Sequence, residues 1–124
     1  MIQERYCSYE VAKLLKEKGF DEPCRSYYLD KHDYRKCAMS LDKHNLMDWN
    51  ILRPTHQMAI DWLREIHKLH IGIVRGPKGY HITIETIPLG VVKYVTREIV
   101  GTNYVESFKD AVEAALKFCL TELI

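Results

Sequence analysis

The chain has 124 residues, enough for one domain and too few for two ordinary ones. Hydrophobic residues make up 47% and charged residues 28%, the profile of a globular protein that buries a core without disulfides or metal. Eighteen Lys and Arg against seventeen Asp and Glu leave a formal net charge of +1, which excludes a general basic bias toward nucleic acid or membranes, so any nucleic-acid surface has to be a local patch.

The N-terminal stretch MIQERYCSYE has no apolar h-region, and no apolar run approaches the ~20 residues that span a bilayer. An intracellular, cytoplasmic protein without a membrane partner is expected. Cys7, Cys24, Cys37 and Cys119 are widely spaced, with no C-x-x-C pair, and in a reducing compartment they read as free thiols.

The first predicted element is a short helix. Ser8 can cap it, Val11, Leu14 and Leu15 fall on one face, and Lys13, Lys16 and Glu17 fall on the other. Gly19 supplies a left-handed terminus, after which Phe20 folds back onto the apolar face. Residues 21–53 read as an irregular, variable segment with one or two short strands. RSYYL has strand propensity, DKHDYRK looks like a loop tip, and CAMSL suits a returning strand.

A second helix follows Pro54, with Thr55 as its N-cap. Met58, Ala59, Trp62, Leu63 and Ile66 form an apolar stripe, and Asp61–Arg64 and Glu65–Lys68 can pair on the wet face. The period then drops to two. Leu69, Ile71 and Ile73 alternate with His70, Gly72 and Val74, RGPKG turns, and Tyr80, Ile82 and Ile84 alternate with His81, Thr83 and Glu85. This is a hairpin with one apolar face. GVVKYV after a PLG turn gives a third strand, and REIVGTNYV is expected to extend or rejoin the sheet. The last helix opens with the Ser107/Asp110 capping box and carries Phe108, Val112, Ala115, Leu116, Cys119 and Leu123 along one side. The expected fold class is a small single α+β domain over residues 1–124, with an antiparallel sheet of three or more strands packed against about three α-helices.

Several constellations are candidates for chemistry. His70 and His81, facing each other across the hairpin with Glu85 as a third ligand, would suit a metal; exposed histidines on a solvated face are the plainer account. His67 and His70 have H-x-x-H spacing, but the helix ends between them, and Glu65 stands at the wrong offset for a zinc-protease helix. His56, in the first turn of the second helix, reads as a surface residue. Cys24, His32, Cys37 and His44 carry zinc-compatible atoms at spacings that match no finger or ribbon. Cys7 beside a histidine would make a nucleophile and base, but sequence does not bring the two together. No nucleophile elbow, Walker loop or dinucleotide fingerprint occurs, so no catalytic residue and no cofactor is assigned. Arg25, Tyr27, Tyr28, Lys31, Tyr34, Arg35 and Lys36 interleave cations with aromatics, the pattern that holds single-stranded nucleic acid; Asp30 and Asp33 dilute it.

Three segments, PTHQMAIDWLREIHKLHIGI, GYHITIE and SFKDAVEAALKFCLTELI, resemble a family of small uncharacterised proteins encoded in prophages and other mobile elements of gut Bacteroidetes. The resemblance implies a cytoplasmic accessory protein of a mobile element and brings no functional residues with it. CSYEVAKLLKEKGF also resembles the first helix of excisionase-like winged-helix proteins, but no recognition helix follows at helix-turn-helix spacing. Three functions follow in order: a non-enzymatic accessory or binding protein with a protein partner or a homodimer contact through a sheet edge or face, a nucleic-acid-binding regulator, and a metal- or thiol-dependent enzyme.

Overall fold

A computed structural model describes residues 5–42, 45–87 and 91–124. The fold is α+β, with two three-stranded antiparallel sheets and helices. The chain divides into two compact units, Met1–Ala59 and Ile60–Ile124. Among the described residues, no helix is long and apolar enough to cross a membrane.

The first unit opens with α1 (Tyr9–Glu17). Ser8 Oγ accepts from the Val11 N–H and caps its start. At its end Gly19 adopts φ +93°, the Gly19 N–H donates to Lys16 O and the Phe20 N–H donates to Leu15 O. This is a Schellman closure, and it tucks Phe20 into the core as its sequence suggests.

Residues 21–53 are far more regular than their composition predicts. They form β1 (Cys24–Asp30), β2 (Asp33–Leu41) and the short β3 (Ile51–Leu52), ordered β2-β1-β3. Only Lys31 and His32 lie between β1 and β2, so most of the expected DKHDYRK loop tip is strand. The Asp30 carboxylate accepts from the His32 N–H and shapes this tight turn. Cys24, Ser26 and Tyr28 alternate inward from β1. β2 is an edge strand whose residues are nearly all exposed. The buried centre of the unit joins Ala12 of α1, Tyr28 and Ile51, with Tyr9 packed edge-on against Tyr28 at 5.5 Å. Residues 5–7 run antiparallel to 54–56: Tyr6 bridges Thr55, the Cys7 N–H donates to Pro54 O and the His56 N–H to Arg5 O.

The helix after Pro54 is α2 (His56–His67), capped by Thr55 Oγ1, which accepts from the Met58 N–H. Its buried stripe is His56, Ala59, Trp62 and Leu63, the last three at spacings of three, six and seven from His56. Two expectations are corrected here. His56 is only 5% exposed because it starts that stripe, whereas Ile66 is 58% exposed because the helix ends one residue later. The Asp61–Arg64 ion pair forms at 2.6 Å. Lys68 at φ +58° then redirects the chain into a strand.

In the second unit, β4 (Leu69–Arg75), β5 (Tyr80–Thr86) and β6 (Val91–Val95) form the expected meander in the order β4-β5-β6. The PLG turn lies outside the described residues. Ile71 pairs with Ile84 and Ile73 with Ile82, which places the apolar residues of both strands on one face. α4 (Phe108–Phe118) packs on β4 and β5 with Ala111, Val112, Ala115 and Leu116 buried. Phe108 meets Tyr80 edge-on at 5.6 Å and Phe118 meets Tyr94 at 5.1 Å, one contact at each end of the helix. Ser107 Oγ accepts from the Asp110 N–H, as the capping box requires. The last turn, Cys119–Leu123, loosens to π geometry.

REIVGTNYV does not extend β6. Its first residues join α3 (Thr96–Val100), closed by Gly101 at φ +79°. Val105 returns to the sheet through a single bridge, exchanging two hydrogen bonds with Tyr80 at 2.7 and 2.9 Å. The helix is possible because Thr96 stands in for a strand: its Oγ1 accepts from the Ile82 N–H at 2.8 Å and donates to Ile82 O at 3.4 Å.

Candidate functional site

The register separates the histidine set. His70 pairs with Glu85, whereas His81 pairs with Val74, four residues along β4 from His70. That offset is about 13 Å at strand rise. Ligands on one zinc sit about 2 Å from it, so His70, Glu85 and His81 do not converge as the facing pair required. His67 is occupied differently, packing edge-on against Trp62 at 4.7 Å.

The Cys/His set is also dispersed. Cys24 is buried on β1. Cys37 lies on β2 four residues before Leu41, the partner of Cys24, within the irregular part of the pairing. His32 stands in the hairpin turn. His44 lies outside the described residues. All four cysteines are free thiols. Burial, with a smaller contribution from the Glu22 carboxylate, pushes the Cys24 thiol up to about 12, and burial alone takes Cys119 up to about 12. Neither is an activated nucleophile.

Cys7 and His56, which sequence could not join, are brought together: a nitrogen of the ring lies within 4.8 Å of Sγ. The strand pairing of residues 5–7 with 54–56 causes this. Cys7 is fully buried and His56 nearly so, which keeps substrate from the pair. The thiol points to Thr55 O at 3.8 Å.

The seven-residue basic and aromatic stretch folds into the β1–β2 hairpin, and alternation splits it. Tyr27 pairs with Arg35 on one face, while Arg25 stands at the irregularity between Cys24 and Ser26 and lines a cleft with Arg53. Tyr28 pairs with Tyr34 on the other face, with Lys36 beside it opposite Ser26. Lys31 is in the turn. Tyr28 is not a stacking platform, because its ring is 8% exposed and its hydroxyl donates to Cys7 O at 2.6 Å. Arg35 is paired with Asp33 at 2.8 Å.

On the Tyr34 face the structure builds a cluster that the sequence does not announce. The Arg53 guanidinium lies 3.8 Å from the ring centre of Tyr34 and 4.1 Å from that of Tyr6, with Tyr28 at 5.6 Å. Lys36 Nζ approaches the Tyr6 ring at 5.6 Å. Arg53 Nη1 donates to Ser26 Oγ at 3.2 Å, and Ser26 Oγ donates to Arg35 O at 2.9 Å. Arg53 has no carboxylate partner among the described residues. A guanidinium between tyrosines is held by cation–π attraction of about 0.5–2 kcal/mol per ring. Arg53 also lines a cleft of about 340 Å³ with Tyr6, Arg25, Ser40 and Thr55.

A second cleft, of about 410 Å³, lies between α1 and the segment before β3. Ala12, Phe20, Leu46 and Leu52 give it apolar walls, and Met47, Asp48 and Asn50 border it. Lys16 Nζ donates to Asp48 O at 2.5 Å and to Asn50 O at 3.3 Å, which ties that segment to α1. Met47 and Trp49 project from it, 61% and 69% exposed.

No protein-family model, no curated protein and no solved structure matches the chain.

Proposed function

We propose that the chain is a non-enzymatic binding protein that engages a protein partner through the surface around Trp49. The observation that carries this reading is the exposure of Trp49 and Met47 on one short segment bordering a cleft with mixed apolar and polar walls. Tryptophan left in water gives up a large apolar burial, and tryptophan and methionine are enriched where partners dock. Lys16 fixes the segment from behind, so the indole is presented on an anchored support rather than a free loop. The resemblance of three segments to mobile-element proteins supports an accessory role in the cytoplasm of such a host.

The test is capture from that host with tagged wild-type protein and with Trp49→Ala, together with sedimentation of each alone. Wild-type protein should retain a specific protein, or a second copy of itself, that Trp49→Ala loses. The exposed substitution should leave stability within about 0.5 kcal/mol. Equal capture by both proteins would refute the assignment of this surface, and nuclease-sensitive recovery alone would replace it with nucleic-acid binding.

A further inference from the structure

We propose that the cleft beside Arg53 binds the phosphate group of a small organic phosphate. The residues lining it carry two guanidinium groups (Arg25 and Arg53), three hydroxyls (Tyr6, Ser40 and Thr55) and no carboxylate. Neither arginine has an ion pair among the described residues. Two unopposed cations match a phosphate monoester, which carries about −1.5 to −2 charge at neutral pH, better than a singly charged carboxylate.

Arg53 has the geometry for this role. Its plane is held by the Tyr6 and Tyr34 rings, and one terminal nitrogen is engaged by Ser26 Oγ. The opposite edge carries Nε and Nη2. Nε is buried and has no acceptor among the described residues. Nε itself is out of reach of a ligand oxygen, so the contact falls to Nη2, which is engaged by no acceptor among the described residues. Thr55 Oγ1 accepts from the Met58 N–H, which leaves its own proton to donate. The remaining walls, Pro23, Cys24 and Met58, are apolar, and the deeply buried Cys24 thiol stays neutral at physiological pH and so adds no negative charge. Glu22 acts on the Cys24 thiol but does not line the cleft. At about 340 Å³ the cleft falls within the range of about 300–1,000 Å³ that holds small ligands, which leaves room for an organic group beyond the phosphate.

The full chain should be titrated calorimetrically with inorganic phosphate, adenosine 5′-monophosphate, adenosine, acetate and a short single-stranded oligonucleotide. Saturable one-to-one binding of phosphate and the monophosphate is expected, with the monophosphate tighter and adenosine and acetate not binding. Arg25→Gln, an exposed position, should weaken binding by about tenfold while the fold is retained, and Arg53→Lys should weaken it at least as much, because lysine keeps the charge and loses the planar fork. The inference is overturned if neither phosphate nor the monophosphate binds at millimolar concentration. It is also overturned if adenosine or acetate binds as well as the monophosphate, if the oligonucleotide binds more tightly than it, or if both variants bind like wild type.

Discussion

Thr96→Val tests how the meander ends. Thr96 is buried, and its hydroxyl serves both the N–H and the C=O of Ile82, itself fully buried in β5. Thr83 pairs with Val95, so a continued β6 would have set residue 96 opposite Ile82. Because the chain turns into α3 there, one side chain replaces two ladder hydrogen bonds. Valine keeps the shape and β-branching of threonine and nearly the same helix propensity, so backbone preference changes little. Each buried backbone group left without a partner costs about 1–3 kcal/mol, and the 3.4 Å contact belongs at the low end. The expected loss is therefore about 2–4 kcal/mol. Thr96→Ser keeps the hydroxyl and removes one methyl, at about 1 kcal/mol. Urea denaturation should rank wild type, then serine, then valine, and the Ile82 amide should exchange with solvent deuterium faster in the valine variant alone. A valine variant as stable as wild type, with the Ile82 amide still protected, would refute the assignment of those two hydrogen bonds to the hydroxyl.

Two other expectations follow from close contacts and burial. An alanine methyl at Gly79 would sit 2.5 Å from Val105 O, a backbone atom that cannot swing aside, so Gly79→Ala should cost about 1–3 kcal/mol and expose the Tyr80 and Val105 amides to exchange; unchanged protection would contradict the bridge. The Cys24 and Cys119 thiols keep their protons to about pH 12 in the folded chain, whereas the unfolded thiols ionise from their ordinary value of 9.0. The unfolded state thus binds fewer protons between those values, so this stability is fully present below about pH 9 and falls as pH climbs toward 12. At pH 8 iodoacetamide should label half-exposed Cys37 in the native chain and reach Cys24 and Cys119 only after denaturation; fast native labelling of either would contradict their burial.

Elements governed by short-range chemistry could be read without coordinates. Ser8, Thr55 and Ser107 each cap the helix they precede, because a side-chain oxygen and an N–H three residues on are local partners. The β4–β5 register follows from placing isoleucines on one face. The β1–β2 hairpin was obscured because β2 is an exposed edge strand, so nothing imposes an apolar period on it. Its turn did leave a signal in Asp30, which suits a side-chain bond to the backbone two residues on. α3 was hidden for the opposite reason. Its residues Thr96, Ile99 and Val100 favour strands, and only the satisfied Ile82 groups and the left-handed Gly101 make a helix acceptable there. The burial of His56 was available in its spacing to Ala59 and Leu63, but a polar residue in a first turn reads as wet.

The Arg53 cluster had no comparable signal, since its members lie far apart in the chain. Tyr6, Ser26, Tyr34 and Arg53 come together only when residues 5–7 pair with 54–56 and β1 pairs with both of its neighbours. The one local hint is Arg53-Pro54, because a residue before proline is driven to extended geometry. The supports of the cluster are main-chain links as well as ring contacts. The Arg53 N–H donates to Ser26 O, the Cys7 N–H to Pro54 O, and the Tyr28 hydroxyl to Cys7 O. These bonds hold residues on both sides of the guanidinium before any ligand arrives. A ligand therefore meets an arginine whose orientation is already set, and the side-chain ordering that usually weakens binding has been met by folding. That is the physical reason for expecting Arg53→Lys, which keeps the charge but not the stacked plane, to lose affinity rather than substitute for arginine.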